Sequence, residues 1–130
     1  MMLMPIHYTI DDVQRRLITR ADGVVTFHEI NAHLDIEERN RHLSLSELVD
    51  ARDATTDLTA EQVRRLVQRA AHMLRTLDLG PTAIVTRSDV LYGMARMYSI
   101  LAEGVGAAAG VFRDVESATR WLDGLRANIE

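Results

Sequence analysis

Arginine stands where an anion could be held. Arg52, Arg87 and Arg113 each follow an apolar run: Leu43 to Val49 before Arg52, Ala83-Ile84-Val85 before Arg87, and Val111-Phe112 before Arg113. In open α/β sheets the edge just past the carboxyl ends of parallel strands is where ligands bind. A guanidinium there can grip a phosphate or carboxylate through two parallel hydrogen bonds. Behind Arg87 and Arg113 a helix start adds partial positive charge. These three arginines are the candidate anion-binding residues. Asp53, Asp89 and Asp114 follow one or two residues later, and local Arg–Asp pairing competes with any ligand.

The segment His28-Glu29-Ile30-Asn31-Ala32-His33 looks like a zinc-protease helix, but its histidines are five residues apart rather than four. At 100° per residue they diverge by about 140° and cannot grip one ion together. Glu29, His33 and Glu37 do share a face, which reads as a solvated polar stripe with intrahelical pairs. No metal site is assigned. His7, His42 and His72 are isolated, and Ser44, Ser46 and Ser99 lack a Gly-x-Ser-x-Gly frame. The glycine-rich run from Gly104 to Gly110 follows a helix and precedes a strand, the reverse of a dinucleotide-binding turn. No catalytic residue and no cofactor are assigned.

Composition narrows the classes further. The 130 residues suit one domain, and 47% hydrophobic content supplies a core. A net charge of −4 argues against nucleic-acid binding. There is no cysteine, which removes thiol chemistry, and all 15 basic residues are arginine, which removes Schiff-base chemistry. The start Met1-Met2-Leu3-Met4-Pro5 lacks a basic region, and no run approaches the ~20 apolar residues of a membrane span. A cytoplasmic location is expected.

The elements that must position these residues follow from pattern. Ile6, Tyr8 and Ile10 alternate with polar residues as in a half-buried strand, and Asp11-Asp12 suggests a turn. A second strand through Val13, Leu17 and Ile18 is expected to end near Arg20 before the Asp22-Gly23 turn, its arginines on an exposed edge or face. Thr26 and Glu29 form a capping box opening a helix to about Arg39, with Phe27, Ile30 and Leu34 as its buried stripe. A third strand through Leu43, Leu45, Leu48 and Val49 ends in Asp50, and Arg52 to Leu58 reads as turn-like. Thr59 and Gln62 form a second capping box, opening the clearest amphipathic helix, with Val63, Leu66, Val67, Ala70, Ala71 and Leu74 inward. Two strand–helix units complete the chain: Ala83 to Val85 then Val90 to Leu101, and Gly110 to Phe112 then Val115 to Leu125. The inner stripe of the first of these helices is Leu91, Met94, Tyr98 and Leu101. Its apolar arc is wide enough to pack on two sides, so Tyr92, Arg96 and Met97 are the candidate dimer or partner face.

This order of elements, with the local phrases Gly23-Val24-Val25-Thr26, Tyr92-Gly93-Met94-Ala95-Arg96-Met97-Tyr98 and Val111-Phe112-Arg113-Asp114 leading to Trp121-Leu122, resembles the SpoIIAA-like fold of STAS and STAS/SEC14-like bacterial proteins over roughly Ile6 to Leu125. The resemblance implies a single α/β domain: an N-terminal β-hairpin plus parallel β-α units, with helices covering a mixed sheet. It implies a non-enzymatic interaction or regulatory module, acting as a homodimer or with another protein. Binding of a small anionic or lipid-like ligand at the carboxyl edge of the sheet is the alternative. Anti-sigma antagonists of this fold carry a phosphorylatable serine after the third strand. Here Asp50-Ala51-Arg52-Asp53 lacks it, and Thr55 and Thr56 are the candidate phosphorylation residues, with Thr59 engaged as a cap.

Overall fold

A computed structural model of the chain describes residues 5–129; the apolar start Met1–Met4 lies outside them. Five strands and four helices alternate: β1 (Ile6–Asp11), β2 (Arg16–Val25), α1 (Phe27–Arg39), β3 (Ser46–Thr56), α2 (Ala60–Met73), β4 (Thr82–Val85), α3 (Asp89–Gly104), β5 (Ala109–Phe112) and α4 (Val115–Ile129). The strands lie in the sheet in chain order. β1 and β2 form the expected antiparallel hairpin, and β2 to β5 are parallel neighbours. Parallel crossovers are right-handed. Crossovers that always step the same way therefore leave their helices on one face, and α1, α2 and α3 share it. The last helix is no crossover, and it covers the other face through Ala118 and Leu122 against Leu48, Ala83 and Val85.

Local signals explain most element starts. Thr26 accepts a hydrogen bond from the Glu29 amide, and Thr59 and Gln62 close a reciprocal capping box. α2 buries Val63, Leu66, Val67, Ala70 and Met73, and each large side chain among them contributes about 1.5–3 kcal/mol. Among the described residues no helix is long and apolar enough to cross a membrane.

Several expectations need correction. β2 does not stop near Arg20: it runs through Asp22-Gly23 to Val25, with Gly23 at φ 71° and a register shift between Arg20 and Asp22. Val13 lies in the turn, 84% exposed, not in the strand. Arg52 to Thr56 is not a turn, because β3 continues beside the far half of β2 and pairs Val25 with Thr56. Arg16 is buried, its guanidinium 2.8 Å from Asp123 of α4. On α3 the buried stripe is Leu91, Ala95, Ser99 and Ala102, while Leu101 is exposed. Leu101 stands 100° around the helix from Ala102 and about 160° from Ser99, so a stripe centred on these residues leaves it outward.

Candidate functional site

Alternation along β2 and β3 sends Leu17, Thr19, Ala21, Glu47, Val49 and Ala51 to the face under α1, α2 and α3. Between that face and the helices lies a pocket of about 210 Å³. Its walls are largely apolar: Ile6, Ala21, Val49, Ala51 and Ile84 from the sheet, and Ile30, Leu34, Leu66, Ala70, Met73, Met94 and Ala95 from the helices. Thr19, His33, Glu37, Glu47, Arg69 and Tyr98 are the main polar residues lining it. Arg69 is already engaged by α1, at 2.9 Å from Asn31 Oδ1 and 2.7 Å from Asp35.

His33, Glu37 and Glu47 form a compact buried cluster within this lining. Helical spacing puts His33 and Glu37 one turn apart on α1, and Glu47 reaches them from β3. His33 Nε2 donates to Glu47 Oε2 at 2.9 Å, and the Thr19 hydroxyl donates to the same oxygen at 2.5 Å. Glu37 Oε1 lies 2.5 Å from His33 Nε2. The single proton on Nε2 is aligned on Glu47, so Glu37 Oε1 stays buried with no hydrogen bond directed at it. Tyr8 meets the His33 ring edge-on, with centroids 5.5 Å apart. The relative exposures are 9% for His33, 2% for Glu37 and 6% for Glu47.

Burial at this depth reshapes the acid–base behaviour of the cluster. For His33, burial opposes the charged form, but the contacts with Glu37 and Glu47 outweigh it and hold the imidazole up at about 9. Glu37 is pushed up to about 7, first by burial; His33 acts against this shift and the charge of Glu47 adds to it. At neutral pH an imidazolium therefore sits between two carboxyl groups inside the protein.

The α1 stripe is thus not solvated as expected. His33 and Glu37 face the sheet, and Glu29, one turn earlier, has a buried Oε2 with no hydrogen bond. Glu47 was not singled out from the sequence. The signal was its place between Leu45 and Val49 in an alternating strand, which puts a carboxyl on the inward face.

The three arginines lie elsewhere. Arg52 is within β3 and grips Asp50 through two bonds of 2.9 Å. That pairing holds the Asp50 carboxyl below its ordinary value. Arg20 bridges Asp22, Asp50 and Asp53, and Arg87 stands 3.8 Å from Asp53. Arg113 bonds Asp89 at 2.8 Å and the Arg87 carbonyl at 3.0 Å, and it stacks 4.1 Å above the Tyr92 ring. Each guanidinium of the trio therefore already faces a carboxylate. Thr56 is buried; its hydroxyl donates to the Val25 carbonyl at 2.6 Å. Thr55 is half-buried, 3.1 Å from Ser88, the cap of α3. On α3, Arg96 is exposed, and Met97 and Tyr92 are half-buried.

No protein-family model matches the chain, and no curated protein matches it. A solved structure does: an uncharacterised protein of the DUF3478 family from Shewanella loihica PV-4, described as having a SpoIIAA-like fold. The two are 16% identical with a TM-score of 0.59, covering 94% of this chain and 97% of that one. That likeness shows the fold, which is SpoIIAA-like.

Proposed function

We propose that this SpoIIAA-like fold serves as a binding module for a small, largely apolar molecule that carries a hydrogen-bond donor. The observation that carries the reading is the pocket, with apolar walls from both layers and a buried carboxyl oxygen, Glu37 Oε1, that lies beside His33 but has no hydrogen bond directed at it. Convergent polar groups in an apolar pocket are the usual mark of a ligand site. An apolar cavity of about 150 Å³ suffices for benzene. In proportion, the 210 Å³ here suits about eight non-hydrogen atoms. At about 0.7 kcal/mol per atom, within the range for small ligands, that corresponds to a Kd of about 0.1 mM. An acidic head group is disfavoured, because the His33 cation is already matched by Glu47 and Glu37.

The test is an NMR titration with indole and with indene, which has the same shape but no N–H donor. Indole is expected to bind near 0.1 mM, and indene about tenfold more weakly for want of one hydrogen bond. Ala95→Leu, which fills the pocket, abolishes both. No shift of pocket resonances at millimolar indole refutes the reading.

A second reading has its own observation. Val90, Ile100 and Leu101 on α3 are 56%, 57% and 38% exposed. Helical spacing places Met97 on the same face. We propose this strip, with Arg96 at its border, as a protein-contact face suited to a homodimer; Tyr92 lies about 160° around the helix from Val90 and falls outside it. Sedimentation equilibrium is expected to show a dimer that Ile100→Asp dissociates; a monomer at every accessible concentration rejects it.

A further inference from the structure

We infer that His33, Glu37 and Glu47 form a site for one divalent transition-metal ion, with His33 Nε2 and one oxygen of each carboxyl group as its protein ligands. The three donor atoms lie within 4.8 Å of one another. They come from two elements that the core holds in place. His33 and Glu37 are one helical turn apart on α1, and Glu47 projects from the facing strand. Ligands at about 2.0–2.1 Å from a tetrahedral centre stand about 3.3 Å apart. The present separations of 2.5 and 2.9 Å from His33 Nε2 need to open by less than about an ångström to admit an ion.

Two further observations point to a ligand here. Glu37 is 2% exposed, and its Oε1 is aimed into the cluster beside His33 Nε2 with no hydrogen bond directed at it. Such a buried acceptor is costly unless something fills its coordination. The Thr19 hydroxyl also bonds Glu47 Oε2, the kind of outer contact that orients a ligating carboxylate. One imidazole and two carboxylates suit zinc, manganese, iron or cobalt; they do not suit soft copper(I), which prefers sulfur, or calcium, which prefers oxygen alone. Two carboxylates would neutralise the ion, so the buried cluster stays near zero net charge. Three protein ligands leave a coordination position free, as in zinc sites that do chemistry. A metal ion would compete for Glu37, whose Oε1 is the acceptor assigned above to an organic ligand, so this experiment uses metal alone and the indole titration uses chelator-stripped protein.

The experiment is titration of the chelator-stripped full chain with cobalt(II), followed by its visible absorption and by calorimetry, then displacement with zinc(II). One ion per chain is expected, with the intense absorption of a four- or five-coordinate site. Glu37→Gln, which keeps the shape of the side chain, is expected to weaken binding more than 100-fold, and Thr19→Val about tenfold. X-ray absorption of the zinc-loaded wild-type chain needs no variant. It is expected to show one imidazole and otherwise oxygen ligands at about 2.0–2.1 Å. Two or more imidazoles would assign the ion to surface histidines and overturn the inference. So would octahedral-only cobalt absorption, or binding that Glu37→Gln leaves unchanged.

Discussion

Raising the pH from 7 to 9 removes stability from the metal-free protein, and the buried His33 is the cause. In the unfolded chain this imidazole has its ordinary value of 6.5; in the fold it is held at about 9. A group raised in the folded state contributes stability that is complete below its unfolded value and is lost as pH climbs through its folded value. Between pH 7 and 9 the folded chain keeps a proton that the unfolded chain has released. The slope approaches about −1.4 kcal/mol per pH unit in mid-interval and falls off toward both ends, so the loss from pH 7 to 9 is about 2 kcal/mol. Glu37 obeys the same sign at lower pH: raised from 4.5 to about 7, it removes stability across that earlier window and little beyond it. A domain of this size has about 5–15 kcal/mol in all, so the effect is large. Urea unfolding at pH 7, 8 and 9 in the presence of a chelator measures it. The double variant His33→Gln with Glu37→Gln is expected to flatten the dependence. A wild-type stability that is level from pH 7 to 9, or a variant as steep as wild type, refutes the reasoning.

Other changes test the frame that holds the cluster. Leu122→Ala, at a side chain 1% exposed between α4 and the sheet, is expected to cost about 2–5 kcal/mol in urea unfolding. Thr59→Ala removes the capping box of α2 and is expected to cost about 1 kcal/mol by the same assay, with Thr59→Ser restoring most of it. Gly80→Ala places a Cβ 2.1 Å from the Leu45 carbonyl oxygen. The strand entry must move, and a drop in Tm of at least about 5 °C is expected by calorimetry.

Elements with local signatures were legible in the sequence. Thr59 with Gln62, Thr26 with Glu29, and the apolar repeat from Val63 to Ala70 locate α1 and α2 because caps and helical stripes are short-range. β3 was misjudged because Arg52 and Asp53 look like loop residues. Their strand conformation depends on β2 continuing past its register shift, a partner that local pattern does not reveal. Gly23 misled for the same reason: a positive φ serves a bulged strand as well as a turn. The face shared by His33 and Glu37 was readable from helical spacing, but its burial was not. Burial follows from α1 lying over the sheet opposite Glu47, which is tertiary information. That aspartates compete for Arg52, Arg87 and Arg113 is legible from spacing alone; which carboxylate each one faces, Asp50, Asp53 and Asp89 respectively, is set by the fold.

The spatial sequence of the five strands repeats their sequence along the chain. No strand has to be threaded between two that are already joined. During synthesis each newly made β-α unit can therefore add to the growing rim of what is already folded. Each addition closes a loop no longer than one such unit, and loop-closure cost rises with length. A chain assembled by accretion in this order would expose each inner rim only until the next segment emerges, with β1 and β5 left as the outer edges of the sheet.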